Sequence, residues 1–155
     1  MKNISSILFG AFCLTATLFA FNSCENKNCK EDNISLPNSQ KSHNMGQNCM
    51  QCHKSGGEGE GCFNVAGTAY DANETNTLTS GKIDFYTDTM GSGNLKYTVY
   101  IDGKGNFYTT ADMSIDGLYP VITGPTGSKS YMSTSISTGQ CNSCHGVSTS
   151  KIWSN

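Results

Sequence analysis

The pentapeptide Cys-X-X-Cys-His occurs twice in this chain, as Cys49-Met50-Gln51-Cys52-His53 and as Cys141-Asn142-Ser143-Cys144-His145. The two copies take four of the eight cysteines and two of the three histidines. No other feature limits the fold as strongly. Each copy sets two thiols one helical turn apart, with an imidazole directly after the second. Each therefore demands a short turn and an open space beside it. One copy precedes and the other follows a long stretch rich in Gly, Ser, Thr and Asn, and no further internal repeat is evident.

This spacing is the attachment signal for c-type haem. The two thiols add to the two vinyl groups of one porphyrin, and the adjacent histidine reaches the iron as fifth ligand. In these two pentapeptides, and only there, the chain resembles the c-type cytochromes. The resemblance implies two covalently attached haem c groups on Cys49, Cys52, Cys141 and Cys144, with His53 and His145 as iron ligands. It implies electron transfer without a catalytic residue. Two competing uses of such cysteines are a four-thiolate zinc ribbon and thiol–disulfide exchange. Exported thiolates face oxidation unless sequestered, and neither motif sits in a βαβ pattern.

Lys2 is followed by an apolar run from Ile4 to Phe21, with no further charge until Glu25. That is the shape of an export signal, assigned to 1–23. A transmembrane helix is the alternative, but the run is short for one. Phe21-Asn22-Ser23-Cys24 resembles the lipobox of bacterial lipoproteins, which implies lipidation at Cys24. It departs from the usual pattern at Phe21 and Asn22. Residues 24–37 then read as a polar, lipid-anchored tether, solvated like the rest of the stretch up to Asn48. Haem attachment and structural disulfides both belong outside the cytoplasm, so export and motif agree. Cys13 goes with the signal, Cys24 with lipid and four cysteines with haem, which leaves Cys29 and Cys62. In an oxidising compartment they are a candidate disulfide, with two unpaired thiols as the alternative.

Without the signal about 130 residues remain, enough for one modest domain. The net charge is −2 and the chain has no arginine. With no basic patch to neutralise phosphates, nucleic acid is not an expected partner. Haem propionates would have to meet lysine, backbone, hydroxyl or water, which favours partly exposed haems.

Between the motifs the pattern is that of strands. Phe63–Tyr70, Lys82–Thr87, Leu95–Ile101, Asn106–Thr110, Tyr119–Thr123 and Tyr131–Ser137 are the candidates. Asp102-Gly103-Lys104-Gly105 reads as a hairpin turn between the third and fourth. Val65-Ala66-Gly67-Thr68-Ala69-Tyr70-Asp71, Gly103–Thr109 and Gly117-Leu118-Tyr119-Pro120-Val121 resemble transthyretin-like or carboxypeptidase-regulatory-like sandwiches over roughly residues 63–125. The fold expected is mainly β: a small immunoglobulin- or transthyretin-like β-sandwich over 62–137. Short helical or irregular haem-binding segments, 38–61 and 138–155, flank it. Tyr86, Tyr97, Tyr100, Phe107, Tyr108 and Tyr119 are read as sandwich core and cross-strand pairs before a ligand platform. The glycine-rich Glu58-Gly59-Glu60 region is read as a flexible linker with solvated charges rather than a calcium site.

Neither flanking segment is long enough to wrap a haem alone. Both are therefore expected at one end of the sandwich, with the haems close and covering one another's faces. For the sixth ligands, His43 is the remaining histidine. Of Met45, Met90, Met113 and Met132, the first choice is Met132, on the last strand before the second motif. Two histidines give a low potential and His/Met a higher one, while an open iron admits small ligands. The function expected is electron transfer between redox partner proteins at the cell envelope, in the periplasm or at the outer membrane. The alternatives are a haem sensor or small peroxidase, and a sandwich acting as a binding module. Small-molecule ligands are not expected otherwise.

Overall fold

The computed structural model describes residues 27–155; the expected export signal 1–23 and the expected lipidation site Cys24 lie outside the described residues. The protein is mainly β, with two sheets that face one another as a small sandwich. Seven strands are formed: β1 (Val65–Tyr70), β2 (Lys82–Tyr86), β3 (Leu95–Tyr100), β4 (Asn106–Thr109), β5 (Tyr119–Thr123), β6 (Lys129–Tyr131) and β7 (Ile152–Trp153). One sheet has the order β4-β1-β7 and the other β3-β2-β5-β6. Helical structure among the described residues is limited to short 3-10 turns, including Cys49–Gln51 and Cys141–Ser143 in the two motifs. None of the helices there is long and apolar enough to cross a membrane.

Alternation along the strands builds the core. Val65, Ala69, Ile83, Phe85, Val99, Phe107 and Ile122 point between the sheets and are joined by Ile101, Leu118 and Met113. Burying each such side chain stabilises the fold by about 1.5–3 kcal/mol. On the opposite face of β2, Asp84 is buried yet satisfied, accepting from Thr98 Oγ1 at 2.6 Å and pairing with Lys82 Nζ at 2.9 Å.

Three local expectations are corrected. Asp102–Gly105 does turn the chain, but it joins the two sheets instead of closing a hairpin: β3 pairs with β2, and β4 pairs with β1. The reason lies in Asp102, whose fully buried side chain accepts from the N–H of Lys104 (2.9 Å) and of Asn106 (3.0 Å). These bonds swing the chain across the core edge. The strand expected over Tyr131–Ser137 is replaced by β6, Lys129–Tyr131, which ends before Met132, and the polar residues Ser133–Ser135 are exposed. The stretch up to Asn48 is not uniformly solvated. Ser35 and Ser42 are buried, and Ser35 N–H donates to Tyr108 O at 2.9 Å along the free edge of β4. A sheet edge leaves unpaired N–H and C=O groups, and this polar segment supplies their partners.

Cys29 and Cys62 form a disulfide across 33 residues. By chain entropy a loop of that size contributes about 4 kcal/mol to stability. It fastens the segment before Ser35 to the start of the sandwich.

Candidate functional site

Both motifs alight on β1, one residue apart. Cys49 and Met50 pack on Ala66, Phe63 and Tyr108. Cys141 lies against Gly67, where an added Cβ would come within 2.9 Å of the Cys141 Cβ and 2.5 Å of the Phe107 ring. Successive residues of a strand face opposite sides. The first motif therefore sits on the outer face of the three-stranded sheet, with Thr68, Asn106 and Tyr108. The second lies along the β1 edge and turns inward beside Phe107. Its placement is set by Gly139, whose carbonyl accepts from Ala66 N–H at 2.9 Å, and by Asn142 Oδ1, which accepts from Thr68 N–H at 2.8 Å. The residues leading into the motifs meet, Asn48 Nδ2 donating to Gln140 Oε1 at 3.0 Å.

The two pentapeptides make the same turn. Cys49 O accepts from the N–H of Cys52 (3.2 Å) and His53 (2.9 Å); Cys141 O accepts from Cys144 (3.3 Å) and His145 (3.0 Å). In each copy the second thiol is exposed and the first is half-buried. Each histidine is then gripped by the loop that follows it. His53 Nδ1 lies 2.7 Å from Glu60 O, and His145 Nδ1 lies 2.8 Å from Ser150 O. A carbonyl only accepts, so each Nδ1 carries a proton and, in the neutral ring, the lone pair lies on Nε2. A backbone carbonyl holding the far nitrogen is the usual way a metal-ligating histidine is oriented.

The loop after His53 is the glycine-rich stretch expected to be flexible. Instead it is bound, with Gly59 N–H donating to Cys52 O at 3.1 Å and Gly57 N–H to Lys54 O at 2.9 Å. A Cβ on Gly59 would meet the His53 ring at 2.7 Å, so only glycine lets the loop close over the imidazole. Phe63 stacks on the other side of His53, with ring centroids 4.1 Å apart, and Tyr108 extends the stack at 5.0 Å. After His145 the loop is tied by Cys144 O, which accepts from the N–H of Ser148 (2.9 Å) and Thr149 (3.1 Å).

Each motif opens into its own cleft, and the two clefts share no lining residue. The outer cleft, about 680 Å³, holds Cys49, Cys52 and His53 together with His43. Glu31, Asp32, Glu58 and Glu60 rim it, and Lys41 lines it. The inner cleft, about 320 Å³, holds Cys141, Cys144, His145 and Met132 among Ile83, Phe107, Ile122 and Trp153. It has no carboxylate, and its one lysine is Lys151, whose Nζ donates to Glu74 O at 2.8 Å and lies 4.2 Å from the Tyr70 ring centre. The motifs thus lie near one another across β1 and open into clefts with no lining residue in common. Alternation along β1 and β4 separates them. Of the other methionines, Met113 is in the core and Met90 is exposed on the turn after β2.

Burial raises the Cys49 thiol, and pushes Cys141 up to about 12. Thiols held protonated are poor nucleophiles, which argues against disulfide exchange. Among the described residues no three or more His, Cys, Asp or Glu side chains are grouped to hold a metal ion, and the cysteine pairs open into different clefts. The donor set in each cleft, two thiols at turn spacing and one imidazole with Nε2 free, fits covalent haem.

Sequence reading missed Glu60, Ser150 and Phe63. The first two act through backbone carbonyls, which every residue has; the one usable signal was the density of glycine after His53. No family model, no curated protein and no solved structure matches this chain.

Proposed function

We propose that this chain is an exported dihaem c-type cytochrome that passes electrons between redox partner proteins at the bacterial cell envelope. Cys49 and Cys52 would carry one haem and Cys141 and Cys144 the other, with His53 and His145 as proximal ligands. Bound haem supplies the one-electron chemistry. The chain's own residues supply attachment, ligand orientation and exposed edges for partners. The observation that supports this reading is the matching contact in the two motifs, His53 Nδ1 with Glu60 O at 2.7 Å and His145 Nδ1 with Ser150 O at 2.8 Å, which turns the far nitrogen of each ring away from that carbonyl. The polar apron 31–36 and the Cys29–Cys62 bridge fit an exported body, and Cys24 is the proposed lipid anchor to the membrane.

Proteins matured with a haem-attachment system test the proposal by intact mass and optical spectrum. The expected result is a mass gain of two covalent haems, with sharp low-spin bands in the reduced state. Strong carbon monoxide binding by both haems would move the function toward sensing or peroxidase chemistry. A protein without covalent haem would overturn the proposal.

A further inference from the structure

We infer that His43 is the second axial ligand of the haem on the first motif, so that this iron lies between two imidazoles while the second motif has no imidazole to offer. The inference rests on the dihaem reading above. His43 and His53 line the same cleft, and their ring centroids are 5.9 Å apart. Two metal–nitrogen bonds of about 2.0–2.1 Å, plus about 1.1 Å from each nitrogen to its ring centre, place imidazoles across an iron about 6 Å apart. The observed separation of 5.9 Å, with the rings tilted by 34°, leaves room for an iron between them.

The backbone of His43 is also held as a ligand's would be. Asn106 Nδ2 donates to His43 O at 3.1 Å and to Ser42 Oγ at 3.0 Å, and Lys104 Nζ donates to Ser42 O at 2.7 Å. Downstream, Gly46 N–H donates to Thr68 Oγ1 at 2.8 Å, and the turn closed by Gln47 N–H on Asn44 O returns the chain to Cys49. Asn106 and Thr68 are themselves bonded on the outer face, Thr68 Oγ1 to Asn106 Oδ1 at 2.6 Å. A residue of a solvated tether would have none of these anchors. The His43 side chain is exposed, and no hydrogen bond of its ring accounts for the anchoring of its backbone. The second cleft holds no counterpart, since all three histidines of the chain are then assigned and Met132 is its candidate donor.

The holoprotein and its His43→Ala and His43→Met variants test this, with intact mass taken first. In His43→Ala, one haem is expected to turn high-spin and bind one additional equivalent of carbon monoxide per chain when reduced. Imidazole in the buffer should restore the low-spin spectrum. His43→Met should keep six ligands and raise the potential of one haem only. Two covalent haems in every protein, with unchanged carbon monoxide stoichiometry and unchanged potentials, would overturn the ligand assignment and leave the dihaem reading standing. Absence of covalent haem from the unsubstituted chain would overturn both.

Discussion

The first motif lies on the outer face of the three-stranded sheet, in a wide cleft with four carboxylates around it, whereas the second lies where the sheets part, among Ile83, Phe107 and Ile122. Their local turns share the two backbone bonds onto the carbonyl of the first cysteine. What differs is the ground beneath: Ala66 and Tyr108 for one, Gly67 and Phe107 for the other. On the proposed reading a pentapeptide would supply attachment and proximal ligand, while one step along β1 decides the charge and solvent access of the cleft beside it. Carboxylates and water stabilise an oxidised iron centre, and an apolar wall disfavours its extra charge. On the proposed dihaem reading, the outer site is expected to be the lower-potential one on both counts.

The largest effect that sharpens this contrast comes from the thiols. Cys49→Ser with Cys52→Ser should leave one covalent haem, retained in the inner cleft and titrating at the higher potential. Cys141→Ser with Cys144→Ser should leave the lower-potential haem. Intact mass and a spectroelectrochemical titration check both; loss of both haems from either variant would show that the clefts act as one unit.

Next in size is the disulfide. Cys29→Ser with Cys62→Ser is expected to lower unfolding free energy by about 4 kcal/mol in denaturant titration. Because Cys62 adjoins Phe63 and follows Glu60, the spectrum of the outer haem should shift while the inner one holds. Phe63→Ala removes the stack on His53 and a buried side chain, at a cost of about 3 kcal/mol, again read in the outer site first.

In the haem-free protein the thiols themselves discriminate. The Cys141 pKa in the fold, about 12, lies above the ordinary thiol value of 9.0. A raised thiol pKa means that the folded state binds the proton more tightly. Its contribution to stability is full below about pH 9 and is lost as pH rises through about 12. Cys49 shifts in the same direction through burial. Alkylation followed by peptide mass mapping should therefore label Cys52 and Cys144 first and Cys141 last. The smallest effect is Thr149→Val, which removes the bond from Thr149 Oγ1 to Cys144 O (3.2 Å). About 1 kcal/mol is expected, with only the inner haem's spectrum responding.

Much of this was legible in the sequence, for physical reasons. β1, β2, β3, β4 and β5 alternate cleanly because one face of each meets the core, and their bounds follow. β7 was not legible. Two residues carry no period, and Ile152 pairs with Ala69 only because the second motif has already brought the chain to that edge. The turn at Asp102 reads the same whether its strands pair with each other or with different neighbours. The motifs stood out by their repetition, and His43 by scarcity. The separation of the clefts did not show, since a single residue of register along β1 produces it.

The bridge from Cys29 to Cys62 also governs reach. Without the bridge, the run from Cys24 to Ser35, which is bonded to the β4 edge, would let the body range about 40 Å from its anchor. With Cys29 fixed to the sandwich, only the stretch from Cys24 to Cys29 can extend, at most about 18 Å. On the proposed anchoring, the carrier swivels at the bilayer surface and does not range away from it. Its partners must then present their redox centres within a protein's width of the same membrane.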